Sequence, residues 1–236
     1  MITKIEELII ESLKMITTLS TSTNSTTRIL IPNYRKNEKS DDKSRYSEQE
    51  LKQIFINKML TDSKFYYSVE TPTKYIYAFS NFNIPQIEKK ETSREHFESA
   101  RFDLSLYDKD DLNTLLTHIE FKHKNPPDEK DISKDLLKLT NEMGGLNRNY
   151  FVHYLVHGNK WKTVTFPNLM EKYSNALKNP DMDKEQFKNV YVYLMFYNPH
   201  GNAEHKILCF NLEDFNNKYE VGQVFDENKL TWMIIL

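Results

Sequence analysis

Between residues 101 and 157 the hydrophobic period of the chain switches from two to helical spacing and back to two. In "RFDLSL", Phe102, Leu104 and Leu106 alternate with Arg101, Asp103 and Ser105. After the turn-forming "YDKDDLN" the alternation resumes in "LLTHIEFKH" through Ile119 and Phe121. The next stretch, "PPDEKDISKDLLKLTNEMGG", carries Ile132, Leu136, Leu139 and Met143 at helical spacing between a proline pair and a glycine pair. It reads as a helix with the glycines as its stop. "NYFVHYLVH" is the next strand. Strand, strand, helix and strand in this order describe a mixed α/β sheet.

Other elements flank this block. Ile2, Ile5, Ile9, Leu13 and Ile16 recur at helical spacing and predict an N-terminal helix that packs on the protein's own body or on a twin subunit. "STSTNSTTRILIPNYRKNEKSDDKS" reads as a polar connection with a short strand at "RILI". Ser47 and Glu50 form a capping box at the head of a second helix, "YSEQELKQIFINKML". "KFYYSVETPTKYIYAFS" predicts paired strands or one bent strand, and 85–98 a charged loop or short helix. Beyond 157 the pattern gives a helix around 168–178, strands at "VYVYLMFY" and "KILCFNL", and a final apolar "TWMIIL". The expectation is a single domain over 1–236. It divides into an N-terminal helix and connection (1–45), a core (46–157) and a C-terminal α/β extension (158–236).

Composition narrows the function classes. With 39% hydrophobic residues against 28% charged, a chain of 236 residues can bury a substantial core. A formal charge of −2 offers no global basic field for nucleic acid, so any such contact must be local. Cys209 is the single cysteine, which excludes an intrachain disulfide and a thiolate zinc cage and fits a reducing cytoplasm. No run approaches the roughly 20 apolar residues that span a bilayer. Lys4, Glu6, Glu7, Glu11 and Lys14 interrupt what a signal peptide would need.

The chemistry concentrates at Asp103, Glu120 and Lys122. Alternate strand residues share a face, so Glu120 and Lys122 project together. If the two strands pair with both apolar rows buried on one face, Asp103 joins them. Two carboxylates hold a hard divalent cation, Mg²⁺ or Mn²⁺, beside an ammonium that neutralises phosphate or orients water. On the second helix Glu48 falls within the stripe of Leu51, Phe55 and Met59, whereas Glu50 falls outside it. Glu48 is therefore the candidate third carboxylate and Glu50 a structural residue. Lys134 and Lys138, one turn apart, either grip a backbone phosphate or belong to a solvated face with Asp135 and Glu142.

The ordered set Glu48, Asp103, Glu120-Phe121-Lys122 and the lysine-bearing helix resembles the PD-(D/E)XK nuclease superfamily. The blocks "YSVETPTKYIYAFS", "ESARFDLSLYD", "IEFKHKNPPDEKDISKDLLKLTNE" and "YFVHYL" look like a prokaryotic and phage branch of it. "SEQEL" resembles the first-helix motif of archaeal Holliday-junction resolvases. The likeness covers about residues 46–157. It implies a restriction-endonuclease-like mixed β-sheet core flanked by helices, with additions at both ends. It further implies a Mg²⁺-dependent endonuclease acting on nucleic acid, DNA before RNA, in defence or mobile-element biology, as a cytoplasmic homodimer without membrane contact. By this resemblance Asp103, Glu120 and the Phe121 carbonyl bind metal, Lys122 is catalytic, and Glu48 assists the metal or its water. Arg101, His123, Lys134 and Lys138 are the substrate-binding candidates. Phe102 stands where the motif has proline; proline is not a ligand, so Phe102→Pro is expected to cost little activity.

Blander readings stand beside these. Glu-x-Lys recurs at Glu50–Lys52, Glu88–Lys90, Glu204–Lys206 and Glu227–Lys229, as a chain rich in both residues requires. Of these, Glu204–Lys206 also opens a strand, but without an upstream Asp or a following lysine helix. His153 and His157 share a strand face but sit about 13 Å apart, too far for one zinc ion. Trp161, Trp232 and the tyrosine-rich strands suit a core better than base stacking. The rival of a different class is a catalytically silent fold that serves as a binding or assembly subunit, with the N-terminal helix as its contact. Its signature would be site residues splayed or capped by salt bridges.

Overall fold

The computed structural model describes residues 2–17, 48–62, 65–78, 86–88, 98–123, 129–156, 160–198 and 205–236. Ser47, "RILI", most of 85–98, His157 and Glu204 lie outside these residues. Among the described residues, eight strands form one mixed sheet: β1 Phe65–Ala78, β2 Gln86–Glu88, β3 Glu98–Asp108, β4 Leu115–His123, β5 Asn149–Val156, β6 Val190–Tyr197, β7 His205–Asn211 and β8 Ile234–Ile235. Their order is β2-β1-β3-β4-β5-β6-β7-β8. β4, β5 and β6 run parallel and every other neighbouring pair is antiparallel. The segment after residue 157 shares this sheet, because β6 pairs with β5 along its full length.

Helices cover both faces. α1 (Ile2–Ile16) and α2 (Glu48–Asp62) bury Ile5, Ile9, Leu13, Leu51, Phe55 and Met59 against Ile119, Phe121, Tyr150 and Tyr154. α3 (Glu129–Asn141), α4 (Phe166–Ala176) and α5 (Leu212–Lys218) bury Ile132, Leu136, Leu169 and Phe215 against Phe151, Val192 and Phe210 on the other. A sheet buried on both sides explains why β6 reads "VYVYLMFY", apolar without a solvent-facing row. The α1 stripe is spent on the chain's own body, and Lys58 fastens α2 to Glu11 of α1 at 2.9 Å. That stripe is therefore not available as a contact surface. Trp161 and Trp232 belong to the α3–α4–α5 core, and His153 is buried with its Nδ1 2.9 Å from the Tyr173 hydroxyl.

One local alternative is decided, and three expectations change. The "KFYYSVETPTKYIYAFS" stretch is one bent strand, β1, whose register against β3 shifts between Pro72 and Ile76. The buried Glu142 carboxylate accepts the backbone N–H groups of Lys74 and Tyr75 at that shift, at 2.8 and 3.1 Å, so Glu142 does not sit on a solvated face. Gly144 and Gly145 lie beyond the end of α3 and do not stop it. A Cβ on Gly144 would stand 2.3 Å from the Leu116 carbonyl oxygen, and the Gly145 N–H donates to the Leu115 carbonyl at 2.8 Å. The glycines let the α3–β5 connection pass against the β4 backbone, where no side chain fits.

The third change concerns β3. Leu104 and Leu106 pack on the α1–α2 side with Ile119 and Phe121, but Phe102 packs on the α3 side, its ring stacked 3.7 Å from that of His118. The apolar row predicted to share one face is divided between two because the strand turns over at Asp103. Phe102 is consequently a fully buried core ring, and Phe102→Pro loses that packing and its stack, a cost to stability that the expectation about activity did not address.

Two measurements follow from this architecture. Gly144→Ala drives a methyl into backbone atoms of β4 and should cost about 3 kcal/mol in urea denaturation, at the upper end of overpacking; a variant within 0.5 kcal/mol of the parent, as about the size of an ordinary surface change, would refute the close approach. His118 is held down to about 3 by burial, with the Lys74 and Lys138 charges adding. As pH falls below 6.5 the unfolded chain takes this proton before the native one does, so the contribution is full above 6.5 and is lost toward pH 3. Between pH 7.5 and 4.5 the parent should lose about 2–3 kcal/mol more than His118→Gln; parallel stability curves would exclude it.

Candidate functional site

β3 and β4 are paired from Tyr107–Leu115 to Leu104–Ile119, and there the ladder stops. One residue further, the Asp103 carboxylate takes the place of a backbone acceptor: its Oδ2 accepts the Phe121 N–H at 2.8 Å. On the opposite neighbour, Glu70 adopts φ of 52°, and the β1–β3 pairing passes from Val69–Leu104 to Thr71–Phe102 in one register without a Glu70–Asp103 pair. A positive φ at a non-glycine residue is costly and clusters at sites where the backbone is forced. Because the N–H and C=O of one extended residue point the same way, the Phe121 carbonyl also faces this gap.

The gap opens a cavity of about 450 Å³. Acids line it from five elements: Glu48 of α2, Glu70 of β1, Asp103 of β3, Glu120 of β4 and Asp135 of α3. Ala100, Arg101, Phe121, Lys122, Lys134 and Lys138 complete the lining. Of the residues singled out from sequence, Glu48, Arg101, Asp103, Glu120, Phe121, Lys122, Lys134 and Lys138 share this one space. His123 does not. It turns to the α2 side, with Nδ1 3.1 Å from the Tyr154 carbonyl and its backbone N–H 3.4 Å from Glu48 Oε2.

Every central carboxylate meets an ammonium. Lys138 Nζ lies 2.5 Å from Glu120 Oε1, 2.9 Å from the Arg101 carbonyl and 3.3 Å from Asp135 Oδ1. Lys122 Nζ is 2.9 Å from Asp135 Oδ2. Lys52 Nζ bridges Glu70 at 3.0 Å and Asp103 Oδ1 at 3.3 Å. Lys138 and Asp135 are only 3% and 5% exposed, so neither the solvated-face reading of α3 nor a surface phosphate grip describes them. Lys134, partly exposed, is left on the cavity lining.

Burial and charge pull the protonation equilibria apart. Glu120 is pushed well up by burial, with Asp135 and Asp103 adding and Lys138 opposing. Glu48 is raised by burial against the pull of Lys122. Burial works against the charges of Lys122 and Lys138, but Asp135 with Glu48 and Asp131 for the first, and Glu120 with Asp135 and Asp103 for the second, together outweigh it and raise both. Asp135 is lowered, since Lys138 and Lys122 outweigh its burial.

In kind, these donors fit a hard cation: carboxylate oxygens and one backbone carbonyl at a common gap. In arrangement, no three His, Cys, Asp or Glu side chains among the described residues stand together as a ready cage. An ion would have to take Glu120 from Lys138 and Asp103 from Lys52. Sequence reasoning missed Lys52, Glu70 and Asp135. Lys52 was within reach, one helical turn from Glu48 on the same side. Asp135, three residues after Ile132 and before Lys138, sits on the buried flank of α3. No pattern in the sequence marks Glu70.

No known family model matches the chain, and no curated protein or solved structure matches it.

The burial of the Glu120–Lys138 pair has a direct consequence. Lys138→Met leaves two buried acids short of a cation and should cost about 3–5 kcal/mol, while Lys138→Met with Glu120→Leu should regain much of the loss. Denaturant midpoints of the two variants test this; equal stabilities would show that the pair is not closed in solution.

Proposed function

We propose that the chain is a metal-dependent nuclease that hydrolyses phosphodiester bonds, in DNA before RNA. The observation that carries this reading is the meeting of Asp103, Glu120, Phe121 and Lys122 at one cavity where β3 leaves β4. The resemblance to the PD-(D/E)XK nucleases, and with it a restriction-endonuclease-like core, a cytoplasmic setting and a homodimer with one site per strand, belongs to this proposal.

Asp103, Glu120 and the Phe121 carbonyl would hold Mg²⁺ or Mn²⁺, with Glu48 beside them. Such an ion, when bound, supplies an acidified water and a counter-charge for the pentavalent phosphate. The protein's own groups do the rest. Lys122, kept charged by Asp135, faces a non-bridging phosphate oxygen as a fixed positive charge and does not act as a base. Arg101, which is exposed, and Lys134 grip the backbone at the mouth. Glu48, whose carboxyl is raised by burial, accepts a hydrogen bond from the attacking water and takes its proton.

A second reading, a catalytically silent nucleic-acid-binding or assembly subunit, is favoured by one specific observation: the ion pairs that cap Asp103, Glu120 and Asp135. Incubation with plasmid, single-stranded DNA and RNA in Mg²⁺, Mn²⁺ or chelator separates the two. Under the nuclease reading, cleavage requires the ion, and Asp103→Ala and Lys122→Ala each reduce it by about 100-fold or more. Calorimetry should also show Mn²⁺ binding that Asp103→Ala removes. Cleavage that survives both substitutions, or a folded wild-type protein that neither binds Mn²⁺ nor cuts, would overturn the proposal.

A further inference from the structure

Asp135 is a carboxylate on the buried flank of α3, between Ile132 and Leu136, both fully buried. Burying an acid there is costly unless its oxygens are committed, and both are: Oδ2 to Lys122 at 2.9 Å and Oδ1 to Lys138 at 3.3 Å. α3 itself is fixed on the sheet by its apolar stripe, so the anion is held by a rigid element. Lys122, by contrast, is a long side chain that must give up rotamer freedom to point one way. Its side chain is 15% exposed on the cavity side.

We infer that Asp135 is a positioning residue: it holds the Lys122 ammonium at the cavity where the scissile phosphate is to sit. The inference rests on the nuclease reading for what the ammonium meets, and it gives a positioning role to a residue that this reading uses only as a counter-charge. It also fixes the kind of work Lys122 does. With its Nζ held 2.9 Å from Asp135 Oδ2, Lys122 contributes direction as well as charge. Because Asp135 also offers Lys138 an acceptor, Lys138 keeps a partner when Glu120 turns to another cation.

The test combines a signal from Lys122 with kinetics. In ¹⁵N-labelled protein the Lys122 Nζ–H₃⁺ resonance, assigned by its loss in Lys122→Arg, should be sharp and slowly exchanging in the wild type and averaged away in Asp135→Asn. Under cleavage conditions Asp135→Asn should lower kcat by about 100-fold, as for a misplaced group, with KM within about threefold. Mn²⁺ affinity should also stay within about threefold, whereas loss of a direct ligand would cost more than about tenfold. Asp135→Glu, which keeps the charge one methylene further out, should recover part of both the signal and kcat. It also serves as the variant if Asp135→Asn does not fold. An unprotected Lys122 resonance in the wild type overturns the inference, as does unchanged kcat in folded Asp135→Asn. A loss of Mn²⁺ affinity equal to that of Asp103→Ala makes Asp135 a ligand and also overturns it. Absence of cleavage by the wild type itself overturns the nuclease reading, a distinct result.

Discussion

The hydrogen bond from the Phe121 N–H to Asp103 Oδ2 is the point on which the site is built. A β-ladder normally supplies that acceptor from the neighbouring backbone, and here a side chain replaces it. The replacement satisfies a buried donor while allowing β3 to leave β4. It also turns β3 over, so that Phe102 and Leu104 enter different cores. Without the turn-over a continuous ladder would run through the place the cavity now occupies.

The cavity is an unusual interior for a protein whose central strands are covered on both faces. Glu120 and Asp135 are nearly inaccessible, and acids in such surroundings persist only with counter-charges at hand. Lys138, Lys122 and Lys52 supply them, each reaching in from a different element. The balance is close: five lining acids face Arg101, Lys122, Lys134 and Lys138, with Lys52 just behind Asp103 and Glu70. Such a network accepts an additional cation only by releasing one of its own. This makes exchange of Lys138 for an ion the central energetic event of the proposed chemistry.

The positive φ of Glu70 fits the same picture. Glu70 sits opposite Asp103, in the gap between two regular stretches of the β1–β3 register, and its carboxylate meets Lys52. The backbone there is deformed on both strands at once, and the deformation brings β1 to the cavity wall.

Much of this was legible in the residues alone. Hydrophobic period placed β3, β4, α3 and β5, and the helical stripe of α1 marked it as a buried element. The Asp between Phe102 and Leu104, the Glu-Phe-Lys of β4 and the Glu48 stripe pointed to one locality, because strand and helix periodicity assign faces without reference to distant contacts. What periodicity could not supply was a place where it fails. The inversion of β3 at Asp103, the left-handed Glu70, and the glycines pressed against β4 all depend on neighbours remote in the chain. So does the partner of every buried charge. Local pattern specified which residues are polar inside an apolar setting, and only the tertiary structure decided that Asp135 and Lys138 lie inside with them, since a helix does not reveal how deep its flank sits until the sheet is beneath it.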